Sequence, residues 1–506
     1  MARIICEIDT LCMSVYTVLI GKTKNKTEDR ARPRQLNNMK ILTLNKKITN
    51  RQRQSFWLAL ILFNFCVQSL QLINPALVGF TSLDFFFALN LLAPAICLWK
   101  GVYEKKPVYL LGLSFIAWYT VCFFVKTEVS SFRETGMFTV ALLFSAWGLA
   151  LPFVTVTDDF DKKRALNIIL SVLTVILAIV VWAALIPTFM RTSFSLLGSD
   201  MIFGILETTH EQSVVVVYKY PVVFGMHYYY TAYLSVLGFF MALYLFAQKK
   251  MRPLMTVGMI GFVLAISLTK CRQALLGFGL GLFTLGFFLF RNKNRDASPK
   301  KTILAGVVIA LTVALGLTLM WQLGTLASKY ILAEGQNDYM DRGFSEQLLN
   351  GSGRLELWAK IPDMLKGYAP SGFFFGIRED VFYPLIYNSL NMCHIHSGYF
   401  SALVLMGIPG FLMSLVFLFK TVKDMLYIFL KMKTHIISRD NLLLFSIPVC
   451  FLLAAVGEPI LFVGYNFRMI TLVCYLVSGY VFELADRIRK DDLSLHSSNA
   501  EFHAFL

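Results

Sequence analysis

Charge is scarce in this chain. Only 15% of its 506 residues are Asp, Glu, Lys or Arg, against about 25% in an ordinary soluble protein. The hydrophobic share is 57%, the aromatic share 14% and the mean hydropathy +0.62. That composition excludes a string of soluble domains of the usual ~150 residues. Instead, apolar runs close to the ~20 residues that cross a bilayer recur along the sequence. Acidic residues are the rarer sign: 31 Asp and Glu stand against 47 Lys and Arg, a formal net charge of +16. Such an excess in a soluble protein would suggest nucleic acid. Among membrane spans its placement carries the meaning, and no nucleic-acid partner is expected. An internal repeat of obvious period is also lacking. The first apolar piece, residues 11–20, is too short to span, and Glu7 and Asp9 precede it where a signal peptide carries a basic region.

Twelve spans are expected, at about 55–73, 77–99, 108–126, 137–156, 165–187, 222–247, 253–268, 274–290, 302–322, 397–419, 442–462 and 468–485. Alternate connections are basic. They hold Lys100, Lys105 and Lys106, then Lys162, Lys163 and Arg164, then Lys249, Lys250 and Arg252, then residues 291–301, 420–439 and 487–490. Because positive charge stays on the cytoplasmic side, both termini are expected there, and the sparse connections, including 323–396, face outward. The expected fold is an all-α polytopic membrane protein of about twelve transmembrane helices, with a large outer loop containing helices between spans 9 and 10. Residues 1–54 form a basic cytoplasmic segment, 55–322 spans 1–9, 323–396 the outer loop, 397–485 spans 10–12 and 486–506 a cytoplasmic tail. Translation from Met39 would make 1–38 upstream sequence; otherwise they are a basic arm that touches anionic lipid heads.

The outer loop is too long for a linker. Asn350-Gly-Ser-Gly353 offers helix-start chemistry, and Leu355, Trp358, Ile361 and Leu365 then recur at helical spacing, with Glu356, Lys360, Asp363 and Lys366 between them. This reads as an amphipathic helix. Arg354 sits in its first turn, where the helix dipole disfavours a cation, which suggests a bound anion or a pair with Glu356, Asp363 or a loop acid. A turn follows, then Arg378. The loop exits through His394 and His396, a His-x-His pair where water meets the membrane. Lys270 and Arg272 lie in a short turn between spans 7 and 8, at an outward edge that usually lacks cations, and either bind an anionic group or snorkel to lipid phosphates. The outward loop 188–221 carries Arg191. His227 and Tyr229, in a His-Tyr-Tyr-Tyr run, form a sugar-stacking platform or an interfacial aromatic belt. Asp84 and Asn90 read as hydrogen-bonding residues of span 2. Met406-Gly-Ile-Pro-Gly410 breaks span 10 and either lines a cavity or packs on a neighbour. Residues 420–440 read as a basic interfacial loop. Glu458 and Arg468 flank the last outward turn, where they pair with one another or edge the site. Two histidines with His210 or His227 would resemble a zinc set, but no third ligand stands at a clear spacing, so no metal is expected.

The order Lys-Cys-Arg272-Gln-Ala-Leu-Leu, Gly-Ser-Gly-Arg354-Leu-Glu-Leu-Trp and Cys-His-Ile-His396-Ser-Gly-Tyr, followed by Met-Gly-Ile-Pro-Gly, resembles the bacterial O-antigen ligase and polymerase superfamily over residues 255–480. The His-x-His form and the Gly-x-Arg helix before it look most like the O-antigen ligases of enteric bacteria. Two positions depart from the common pattern: Cys271 stands where many members have Ser or Thr, and Ser397 where many have Asn. The resemblance implies a GT-C-like fold in the bacterial inner membrane and inverting glycosyl transfer on the periplasmic face, without metal or other cofactor. The implied donor is a glycan on undecaprenyl diphosphate and the acceptor is lipid A–core oligosaccharide, with membrane lipids around both.

That chemistry needs a base for the acceptor hydroxyl and fixed cations for a diphosphate leaving group. His396 is the expected base, and Arg272 and Arg354 are the expected catalytic cations. His394, Lys270, Arg191, His227, Tyr229 and Arg378 are the expected substrate-binding residues. Cys271 and Cys393 could form a disulfide beside the site. A polymerase of the same superfamily is the nearest rival. A twelve-span transporter, the lesser alternative, would call for midplane charges and related halves; this chain has few midplane charges, and its large outer segment falls between spans 9 and 10 rather than midway.

Overall fold

The computed structural model describes residues 162–195, 202–212, 214–222, 228–332, 354–378, 381–382, 384–386, 395–435, 437–458, 461 and 468–505, and part of 114–125. Expected spans 1 to 4, with Asp84 and Asn90, otherwise lie outside the described residues. Seven of the described helices are long and apolar enough to cross a membrane. The chain is an all-α polytopic membrane protein in its membrane part. Helices α1 (Lys162–Phe189), α2 (Tyr228–Ala247), α3 (Arg252–Thr269), α4 (Arg272–Lys293) and α5 (Pro299–Leu332) answer to expected spans 5 to 9. Past the outer loop, with α6 (Arg354–Gly367) and α7 (Ser371–Phe375), come α8 (Gly398–Lys431), α9 (Arg439–Leu444), α10 (Ser446–Gly457) and α11 (Arg468–Phe505). Helices α1, α2 and α3 pack on one another, α4 lies between α5 and α10, and α8 packs along α11.

Three stretches differ from the sequence reading. The outward loop 188–221 contains a three-stranded antiparallel sheet, β1 (Ser193–Ser195), β2 (Ile202–Gln212) and β3 (Val214–Val222), which rests against α1. Its β2–β3 register sets Glu207 opposite Lys219 and His210 opposite Val216. The run Val214-Val-Val-Val217 suits a pleated strand better than a surface loop. Residues 420–431, expected as a loop, continue α8 as helix, and residues 486–505 continue α11 beyond the expected span. Their charges are taken up between the two helices. Asp424 is fully buried, accepts from Lys420 Nζ at 2.7 Å and receives the Arg489 guanidinium. Asp492 holds the Tyr427 hydroxyl and Lys431 Nζ, both at 2.8 Å. A charged stretch thus stays helical because the facing helix supplies its counter-charges.

The break in α8 falls where Gly407 and Pro409 occur. Gly407 has φ 67° and ψ −169°, a region open essentially to glycine alone, and Pro409 supplies no N–H. The orphaned carbonyls find other donors. The Ile377 N–H reaches Val404 O at 2.6 Å and the Trp118 indole N–H reaches Met406 O at 2.8 Å. Gly376, at φ 77°, lies so close that a Cβ would strike the Val404 carbonyl, and a Cβ on Gly407 would strike those of Phe373 and Phe374. The kink therefore packs on a neighbour, the 373–377 segment, and locks the outer loop to α8. Gly407→Ala should lower the thermal midpoint and the yield of monodisperse protein in detergent, since the backbone conformation alone costs about 1–3 kcal/mol for a residue with a Cβ. Unchanged size-exclusion profile and melting curve would show the interlock to be dispensable.

Candidate active site

Helix α6 buries Leu357, Ile361 and Leu365 and half-buries Trp358. Leu355, expected on that face, is 68% exposed; the apolar stripe runs through Leu357 instead. On the outer face Lys360 pairs with Glu356 at 2.9 Å and Lys366 with Asp363 at 2.8 Å. Neither nearby acid is therefore the partner of Arg354. Its guanidinium crosses to the end of α10, where Nη1 donates to the Gly457 carbonyl at 2.7 Å and Nη2 to Glu458 Oε1 at 3.1 Å. The anion that Arg354 was expected to require is thus a protein carboxylate, only 5% exposed.

Glu458 faces two ways. Its other oxygen, Oε2, lies 3.7 Å from His396 Nδ1, just beyond hydrogen-bond length. His396 is a quarter exposed and holds a left-handed backbone, φ 51°. The residues on either side fix it. Ser397 caps α8, accepting the Phe400 N–H at 3.3 Å and donating to Ala455 O at 3.4 Å. The Ile395 carbonyl accepts the Trp358 indole N–H at 3.0 Å, and the Trp358 ring stacks on Phe400 with centroids 5.3 Å apart. The Tyr399 hydroxyl donates to Leu452 O at 3.1 Å, fastening the start of α8 to α10.

Arg272 opens α4 at this end of the bundle. Its neighbour Gln273 lies against Gly457, whose Cβ position is 3.1 Å from the Gln273 amide nitrogen. The turn that carries Arg272 therefore abuts the Gly457–Glu458 corner. Cys271, which caps α4, is a buried free thiol rather than half of a disulfide. Burial pushes that thiol up to about 12, and the nearby Glu458 carboxylate pushes the same way, so it stays protonated and takes no part as a nucleophile. Lys270 is buried in a left-handed turn, φ 46°, with Nζ 5.8 Å from the centre of the Trp321 ring.

The remaining sequence-predicted residues spread more widely. Arg191 is engaged elsewhere: it donates to the Tyr330 carbonyl at 2.6 Å and lies 4.8 Å over the Tyr330 ring, tying the chain after α1 to the end of α5. Tyr229 is half-buried beside Tyr230. Arg378 is half-buried just after the 373–377 interlock, and its carbonyl accepts from Phe382 N at 2.9 Å. His227 and His394 lie outside the described residues. Among the described residues no three His, Cys, Asp or Glu side chains gather as metal ligands. The structure thus joins Arg354 to His396 and brings the Arg272 turn against the corner they share. The joining residue, Glu458, was read from sequence only as an edge residue or a partner of Arg468. Its one sequence signal is an acid at the outward end of an apolar run.

Residues 257–415 match the family described as O-antigen ligase. The matched stretch holds Arg272, Arg354, His394 and His396, and Glu458 lies beyond its end. No curated protein and no solved structure matches the chain.

Proposed function

We propose that this chain, whose residues 257–415 match the O-antigen ligase family, is a periplasm-facing enzyme of the bacterial inner membrane. It transfers O-antigen polysaccharide from undecaprenyl diphosphate to lipid A–core oligosaccharide. The carboxylate shared by Arg354 at 3.1 Å and His396 at 3.7 Å is the observation that carries the reading. The buried carboxylate places negative charge beside the imidazole at the point where that ring would take up a proton. His396 then takes the proton of the acceptor hydroxyl through Nε2 as the hydroxyl oxygen bonds to the anomeric carbon. The bond from that carbon to the diphosphate oxygen breaks, with inversion, and undecaprenyl diphosphate leaves.

Arg272 is assigned to the diphosphate, where a fixed guanidinium meets the charge that builds on the leaving group. Arg354 spends two of its N–H groups on Gly457 and Glu458. Its proposed work is first to hold Glu458, and with it His396, and then to offer the rest of its fork to the phosphates. Lys270, two residues before Arg272 in the same turn, is assigned to support the same charge. Outward placement of this corner, with both termini in the cytoplasm, follows from the alternation of basic connections.

The test is reconstitution of the purified protein with lipid-linked donor and core acceptor, without ATP and with chelator present. Glycan joined to core is the expected product. Donor chains lengthened without core attachment would assign the protein to polymerisation, and transfer that stops with chelator would overturn the metal-free reading. In cells, deletion should leave long glycan stranded on its carrier lipid, whereas loss of a polymerase leaves a single repeat on core.

A further inference from the structure

The left-handed backbone of His396 is a conformation that a non-glycine residue keeps only when its surroundings over-determine it. Two flanking contacts do so. On the C-terminal side Ser397 is bound into the α8 cap and to Ala455. On the N-terminal side the peptide between Ile395 and His396 is held by the Trp358 indole, whose N–H meets the Ile395 carbonyl at 3.0 Å. The orientation of that carbonyl sets the plane of the peptide and therefore φ of His396. Trp358 also lies four residues after Arg354, one helical turn along α6, and its ring is clamped on Phe400 of α8. A single side chain thus fixes the helix that delivers Arg354 and the peptide that delivers His396.

We infer that Trp358 is a positioning residue for the transfer reaction, acting through its indole N–H to hold the His396 backbone at the angle that sets the ring beside Glu458. This rests on the reading of His396 as the base. The ring stack and the N–H have separable consequences: the stack anchors α6 to α8, while the N–H aims the imidazole. Losing the N–H leaves the carbonyl of the buried Ile395 without that donor and frees the peptide to rotate toward the commoner φ < 0 region. A displacement of about 1 Å at a reacting group costs on the order of 10²-fold in rate.

The experiment uses the full-length protein reconstituted with lipid-linked donor and core acceptor. Trp358→Phe, which keeps an aromatic ring and removes the donor, should lower kcat by about 10–100-fold, with KM for both substrates within about twofold and the thermal midpoint near the parent's. Phe400→Leu, which keeps the N–H and thins the stack, should do the reverse: a lower midpoint with kcat nearly retained. Parental kcat in Trp358→Phe overturns the inference, as does an equal kcat loss in Phe400→Leu or a Trp358→Phe loss that follows a lowered midpoint. Failure of the underlying reading looks different, since His396→Ala would then keep the parental kcat. An inactive His396→Ala beside a fully active Trp358→Phe sinks the indole assignment alone.

Discussion

Alanine at position 396 lowers glycan transfer by about 10²–10⁴-fold, the usual contribution of a general base, while the protein remains in the membrane at parental amounts. The side chain is a quarter exposed, and Glu458 already has Arg354 as a partner. Removing the imidazole therefore leaves no buried charge stranded, and the fold should tolerate it. The loss belongs in kcat, because the imidazole is assigned to the proton transferred in the reaction and not to a charge on either substrate. His396→Gln, which retains hydrogen-bonding capacity without a basic nitrogen, should be as inactive as alanine. The measurement is the initial rate of core glycosylation in proteoliposomes at saturating donor and acceptor. Parental turnover in His396→Ala would end the base assignment and pass the role to another group of the same corner, such as Glu458 itself.

Much of the membrane architecture was legible because hydropathy reports the bilayer directly. Expected span 165–187 became Lys162–Phe189, and 274–290 became Arg272–Lys293, since a helix must satisfy its own backbone wherever water is absent. Charge does not end the helix after residue 419: α8 runs on to Lys431. Lys420, Asp424 and Lys431 look solvent-bound along the sequence, yet Lys420 pairs with Asp424 within α8, and Asp424 and Lys431 pair with Arg489 and Asp492 of α11. The outward setting argued for loop where the β-branched run Val214–Val217 favours a strand. The site was half visible. Arg354 and His396 announced themselves by residue type at a membrane edge. The carboxylate that joins them lies 104 residues from Arg354, and no local pattern encodes a contact of that separation. The loop acids seemed better partners only because they were nearer in sequence, and both proved occupied by lysines on the exposed face of α6. Arg191 shows the same limit in reverse. A cation in an outward loop suggested substrate, but a carbonyl and a ring at the end of α5 satisfy it.

Arg354→Ala should abolish transfer and also destabilise the protein, and the two losses should come apart when Glu458 is changed as well. The pair is 17% and 5% exposed, so truncating the guanidinium strands a buried carboxylate; breaking such a pair from one side costs about 3–5 kcal/mol. Glu458→Gln placed on top of Arg354→Ala removes the stranded charge, and the thermal midpoint should recover most of its fall. Transfer should not recover, because the neutral amide no longer places negative charge beside the imidazole that takes the proton, and the guanidinium is still missing from the phosphates. Loss of one preorganised donor alone is worth about 10²–10³-fold in rate. Glu458→Gln by itself should reduce transfer less than Arg354→Ala, since Arg354 can still donate to the amide oxygen and to Gly457. The cycle is read by melting curves in detergent alongside initial rates in proteoliposomes. Recovery of both quantities in the double variant would mean that Arg354 serves only to neutralise Glu458, leaving the leaving-group charge to Arg272. Recovery of neither would mean that the two side chains contribute independently and that the carboxylate does not connect them in function.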